Sequence, residues 1–174
     1  MKPFSIFLWR ITSAHLISYT LVGMFAYKFL NYEELLESAP FSSFMKPVNS
    51  LAVAAGPALQ LVRGFIFSIA LWSFKDPFLN TKYGWLKLWG LLIGLSILST
   101  TAAAPGSVEG FIYTTIPIQK QVIGYWEVLP QTMLFSLNVY YWYKKPKKAW
   151  NIISIVLVSI VLLLSILALT IPRP

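Results

Sequence analysis

Five long hydrophobic runs, separated by short polar stretches, set the pattern of this chain: about residues 4–30, 48–74, 83–104, 122–143 and 149–171. An α-helix needs about 20 mostly apolar residues to cross the hydrocarbon core of a bilayer. Each run is long enough. The pattern therefore predicts an all-α integral membrane protein, a bundle of five transmembrane helices forming one domain over residues 1–174.

The polar stretches carry signals of their own. Residues 31–47 hold Glu33, Glu34 and Glu37, and the stretch YEELLESA predicts a short surface helix punctuated by Pro40 and Pro47. Residues 105–121, PGSVEGFIYTTIPIQKQ, are richer in glycine, aromatic and β-branched residues than a bare connector needs. They are expected to fold back onto the mouth of the bundle. In the third run Gly90 and Gly94 match the small-xxx-small spacing that lets helix backbones approach closely. The fifth run is almost purely aliphatic and is expected to face lipid over much of its surface.

Composition narrows the class. The chain is 57% hydrophobic and only 11% charged, whereas a soluble domain is typically about a quarter charged. No polar run is long enough to fold as a separate soluble domain. Without cysteine there is no disulfide, thiolate metal site or cysteine nucleophile. A single histidine speaks against a His-based metal site or a bis-His haem, so neither metal nor cofactor is expected. The first run is expected to stay in the mature protein, since Arg10 and His15 interrupt what would otherwise resemble a signal peptide.

The net charge of +8 belongs to topology rather than to nucleic acid, because the basic residues flank the hydrophobic runs. Five spans put the termini on opposite sides. With the N-terminus cytoplasmic and the C-terminus outside, Lys2, Arg10, Lys75, Lys82, Lys87 and the lysines of KKPKK (residues 144–148) lie at the inner face. Lys28, Lys46, Lys120 and Arg173 fall outside, with Glu33, Glu34, Glu37 and Glu109. That bias obeys the positive-inside rule and suits a bacterial inner (plasma) membrane. Trp9, Trp72, Trp85, Trp89 and Trp142 are expected in the inner aromatic belt, and Tyr27, Tyr113 and Trp126 in the outer one.

Polar residues inside the runs give the candidate chemistry. Thr12, His15 and Tyr19 share a face of the first helix by steps of three and four, Gln60 and Arg63 share one on the second, and Glu127, Gln131 and Asn138 form a stripe on the fourth. A rise of ~1.5 Å per residue puts His15 and Arg63 about 18 Å from the inner ends, Gln131 about 20 Å, and Tyr19, Gln60 and Glu127 about 22 to 26 Å. An arginine in hydrocarbon costs roughly 2.5 kcal/mol or more without a partner or water. Arg63 and Glu127 differ by about 7 Å in height, a gap an arginine side chain bridges if the two helices adjoin. Pro57 and Pro130 lie in the same zone, and each frees a carbonyl one turn earlier.

These residues predict a hydrated pocket that opens outward, with His15, Tyr19, Gln60, Arg63, Glu127 and Gln131 as its ligand-binding set. The ligand is an amphipathic or anionic small molecule or a lipid, held by the charge of Arg63 and the hydrogen-bonding groups around it. Plainer readings exist for each part. Arg63–Glu127 is then an interhelical tie, His15 a helix–helix hydrogen bond, the prolines kinks, and KKPKK a stop signal that also attracts anionic lipid. Arg10, near the inner end, is expected to snorkel toward the headgroups.

Three function classes follow. One is a membrane protein binding a small molecule or lipid. Another is a non-catalytic subunit or assembly factor with a membrane-protein partner. The third is an enzyme or proton-coupled carrier in which Glu127 and His15 exchange protons. No nucleotide loop, HExxH, GxSxG or haem pair accompanies the polar set, so no catalytic residue is assigned.

Overall fold

The computed structural model describes residues 3–98 and 103–170. Among these residues there is no strand. The long helices are α1 (Phe4–Phe29), α4 (Gly56–Ser73), α5 (Gly84–Leu98), α8 (Tyr125–Lys144) and α9 (Lys148–Thr170). Short helices fill the connections: α2 (Tyr32–Glu37), α3 (Leu51–Ala54), α6 (Val108–Tyr113) and α7 (Ile118–Val122). The surface helix expected in YEELLESA is α2. The five hydrophobic runs thus correspond to five long helices of a helical bundle.

The long helices alternate in direction, which the connections at each end establish. At one end Lys120 Nζ donates to Ser38 Oγ at 2.8 Å and also to Ala39 O, tying residues 103–124 to residues 31–50. At the other end Tyr140 Oη donates to Thr81 O at 3.1 Å and Lys144 Nζ to Asn80 O at 3.3 Å. The first is an acidic end, with Glu33, Glu34, Glu37 and Glu109; the second is basic, with Lys75, Lys82 and Lys144 to Lys148. Lys2 and Arg173, assigned to opposite faces from sequence, lie outside the described residues, as do residues 99–102 of the third run.

Helix α1 is the axis of the bundle. It packs most extensively on α4, then on α8, and also on α9; α5 joins through α8. Its buried positions include Phe7, Ile11, Ala14 and Leu16. The main apolar core lies toward the basic end, where Phe7 and Ile11 meet Leu71, Leu79, Leu88, Phe135 and Val139. A smaller cluster joins Leu16 to Val158 and Val161 of α9.

The α1–α4 seam depends on small residues. A Cβ on Gly64 would stand 2.8 Å from Thr12 Cα, so the two backbones already touch there. One turn on, Ser68 Oγ donates to Gly64 O at 2.7 Å and lies 3.5 Å from Thr12 Oγ1. The glycine pair singled out in sequence behaves differently. Neither Gly90 nor Gly94 would bring a Cβ within 4 Å of a neighbouring element, so this spacing joins no helices among the described residues. Spacing alone specifies a flat helix face; whether a neighbour occupies it is a matter of tertiary placement.

Among the described residues one helix, α9, is long and apolar enough to cross a membrane, and only 17% of its most apolar stretch is buried. Its buried face is Ser154, Val158, Val161 and Ser165, while Leu163, Leu164 and Ile166 are more than half exposed. Helices α1, α4 and α8 have 26, 18 and 20 residues, but their polar residues keep them below that apolarity. Buried serines and exposed aliphatics recur in the other long helices: Ser13, Ser18, Ser68 and Ser136 are buried, while Met24, Val62, Ile66 and Leu98 are exposed.

Arg10 reverses its expected placement. It is only 8% exposed and does not snorkel. Because α1 is enclosed by its neighbours, the side chain turns into the bundle. Nη1 donates to Trp142 O at 3.5 Å, and the guanidinium lies 5.5 Å from the Trp142 ring centroid. That carbonyl belongs to the last turn of α8, where the helix dipole favours a cation. The Trp89 indole N–H of α5 donates to Leu129 O of α8 at 3.1 Å, the carbonyl just before Pro130.

Candidate functional site

The sequence-predicted set divides into two groups on either side of Tyr19. The first is closed. His15 is buried, and its Nε2–H donates to Gln60 Oε1 at 3.0 Å. The imidazole sits edge-on to Phe67 of α4 and Phe135 of α8, at centroid distances of 5.0 and 5.9 Å. Gln60 Nε2 donates back to Gly56 O at 3.5 Å. His15 Nε2 and the Gln60 amide therefore have protein partners, and aromatic rings flank the imidazole. The shared face of Thr12 and His15 does turn toward α4, as their spacing requires.

The second group is open. Tyr32, at the start of α2, donates its hydroxyl to Glu127 Oε2 in the first turn of α8. A half-exposed cavity of about 360 Å³ adjoins this pair. Tyr19, Gly23, Tyr27 and Tyr32 line it, together with Val53, Pro57 and Glu127. A Cβ on Gly23 would stand 3.8 Å from Glu127 Oε1, so the missing side chain leaves that oxygen facing α1 without obstruction. Burial first, and then the hydrogen bond to the carboxylate, push the Tyr32 phenol well above its usual range. Ionising it would bring a second negative charge beside the first.

The expected Arg63–Glu127 pair is not formed. Arg63 is exposed, with its guanidinium 5.8 Å from the Phe67 ring centroid, and among the described residues neither partner joins an ion pair. The reason is helix placement. Both α4 and α8 pack on α1, but they share no extensive contact with each other. Where α4 and α8 do approach, the rings of Phe67 and Phe135 meet with centroids 5.6 Å apart, while Arg63 stands exposed. Arg63 does lie within electrostatic reach of His15 and Tyr19, and Tyr19 within reach of Glu127.

Gln131 also falls outside the cavity lining and has no hydrogen-bond partner among the described residues. Of the expected polar stripe on α8, Asn138 turns toward α1, donating to Ser18 Oγ at 3.4 Å. Pro57 sits in the first turn of α4, where no intrahelical N–H is needed. The Ala55 N–H just before the break donates to Leu51 O at 3.0 Å, closing the turn of α3.

Sequence reasoning missed Tyr32, Tyr27 and Gly23. Tyr32 lies in a loop segment, and only the fold of residues 31–50 brings it over α8. The signal available was the short YEELLE helix, whose first residue is this tyrosine. Residues 103–124 form an ordered segment with two short helices of its own, α6 and α7. Buried Gln121 holds it together, accepting from Gly106 N at 3.3 Å and donating to Ile116 O at 2.9 Å, while the Tyr125 hydroxyl donates to Gly106 O. Beside this cavity, Tyr27, Lys28, Asn31, Glu33, Glu34 and Glu37 line a wide surface recess of about 630 Å³. Glu109 does not join it, and no metal-ligating group of three side chains exists among the described residues.

Comparisons with known protein families, with curated proteins and with solved structures give no match to this chain.

Proposed function

We propose that this chain is a five-span integral membrane protein that binds an amphipathic small molecule or lipid in the cavity between α1, α8 and the acidic-end loops. The carrying observation is the cavity itself: about 360 Å³, mostly apolar and aromatic in its walls, with Glu127, Thr20 and three tyrosines among its lining residues. Ligand sites are typically of this size and character. The bilayer reading is supported by the exposed aliphatic faces of α4, α5 and α9, since soluble monomers rarely expose large contiguous apolar patches. Placing the basic end in the cytoplasm of a bacterial inner membrane follows the distribution of lysine. The cavity then opens toward the outer side.

The anion-binding version of this reading loses its main support, because Arg63 does not line the cavity. An enzyme or proton carrier using His15 and Glu127 is disfavoured as well. His15 is satisfied by Gln60 and does not line the cavity, whereas proton exchange needs groups in hydrogen-bond reach of each other or of a substrate.

Native mass spectrometry of the chain in lipid nanodiscs tests the reading. A small molecule or lipid retained by wild type and lost in Gly23→Leu, which fills the cavity, is the expected result. Equal retention by both proteins, or none by either, refutes it. The absence of native cysteine allows a companion test: single cysteines at Lys46 and Lys147 should label from opposite sides of a sealed membrane.

One observation favours the subunit reading as a second possibility. Gly90 and Gly94 leave a flat, uncovered strip on α5, flanked by exposed Leu91, Leu95 and Leu98. A transmembrane helix of another chain packs well on such a strip.

A further inference from the structure

Glu127 is a carboxylate without a cation. Its ties are the Tyr32 hydroxyl and the N-terminal turn of α8. A hydroxyl and a helix N-terminus hold a carboxylate in place, but neither cancels its charge. No lysine, arginine or histidine lines the cavity, and Arg63, in reach of Tyr19, forms no ion pair with Glu127. The other polar residues of the wall are Tyr19, Tyr27, Tyr32 and Thr20, whose buried hydroxyl has no partner among the described residues. Aromatic rings grouped around one carboxylate suit a cation whose charge is spread over alkyl groups, because ring faces attract such cations and cost them little solvation.

The approach to the cavity points the same way. Tyr27 is shared between the cavity and the adjoining recess, whose rim carries Glu33, Glu34 and Glu37 against one lysine, Lys28. An acidic rim raises the local concentration of cations and lowers that of anions. Cavity charge and rim charge thus have the same sign, although they come from different elements of the fold.

We infer that the ligand of this cavity carries an organic ammonium group, seated against Glu127 and among Tyr19, Tyr27 and Tyr32. The inference rests on the proposed pocket and adds the chemical class of its occupant. Two sources share that chemistry: the headgroup of a choline-type lipid, and a free amine from the aqueous phase.

The test uses the full chain in nanodiscs of phosphatidylglycerol alone, so that the surrounding lipid carries no ammonium. Choline is added in solution in one arm, and phosphatidylcholine is doped into the disc in another. The uncharged isostere 3,3-dimethylbutanol is the control. Binding is read as saturation transfer from protein aromatic protons to the methyl protons of each probe. The expected result is binding of an ammonium probe at least about tenfold tighter than of the isostere, lost in Glu127→Gln and blocked in Gly23→Leu. A response to dissolved choline identifies a free amine as sufficient; a response to phosphatidylcholine alone identifies the lipid headgroup. If wild type binds isostere and ammonium alike and Gly23→Leu blocks both, the ammonium inference is overturned while the pocket stands. If no probe binds, or Gly23→Leu changes nothing, the pocket and the inference fall together. The comparison of ammonium with isostere needs only wild-type protein, so it decides the matter even if Glu127→Gln folds poorly.

Discussion

The α1–α4 seam and the gap between α1 and the start of α8 are built from similar residues and have opposite characters. In the seam, Gly64 brings the backbones into contact, and Thr12, Ser68, His15 and Gln60 become one another's partners. In the gap, Gly23 also removes a side chain, but no backbone fills the space, and a cavity with Glu127 in its wall remains. A small residue thus closes an interface or opens a site depending on what stands opposite. A buried polar group is structural where it is paired and available where it is not.

The largest effect should come from forcing the seam apart. Gly64→Leu places carbon atoms where Thr12 already stands, and overpacking of this kind costs about 1–3 kcal/mol or more. Thermal unfolding in detergent should show the strongest loss among the variants named here. If Gly64→Leu is as stable as wild type, the described seam is wrong.

Removing one member of the closed pair comes next. His15→Ala leaves the half-buried Gln60 Oε1 without its partner and should cost about 1–3 kcal/mol. Adding Gln60→Leu should recover part of that loss, because an unmade bond is worse than two apolar side chains. A double variant less stable than either single one would show that His15 and Gln60 act separately. Ligand retention should survive in the double variant, since neither residue lines the cavity.

A smaller effect distinguishes the open side by pH. The Tyr32 phenol is raised by burial and by Glu127, so the folded state holds its proton more tightly than the unfolded chain does. The stability from this group is complete below the ordinary tyrosine value of about 10. It is lost as pH climbs from there toward the folded value. Phenolate absorbance should therefore show one tyrosine titrating late in wild type, and less late in Glu127→Gln. An unchanged titration in that variant would remove the Tyr32–Glu127 contact.

The smallest effect on the isolated chain is expected at the uncovered strip of α5. Gly90→Leu and Gly94→Leu meet open space, so stability should change by no more than about 0.5 kcal/mol. Co-purification of a stoichiometric partner from native membranes, lost in these variants, would instead favour the subunit reading.

Much of the architecture was legible in the chain. Hydrophobic runs and the loops between them are local properties, and a polypeptide hides its backbone groups most simply by coiling each run into a helix. The faces bearing Thr12 and His15 and the short helix at YEELLE likewise follow from local spacing and composition. Partnership did not follow. Depth along a helix is one coordinate, and Arg63 and Glu127 agree in it well enough to suggest a pair; their positions around α1 were the missing coordinate. Arg10 turned inward for the same reason, since only the enclosure of α1 forbids it the surface. By itself the sequence determined which segments are helical, which end is basic and which faces are polar. The tertiary structure alone decided which polar face is closed by a neighbour and which borders a cavity, because that depends on the angular order of helices distant in the chain, and no spacing within one helix encodes it.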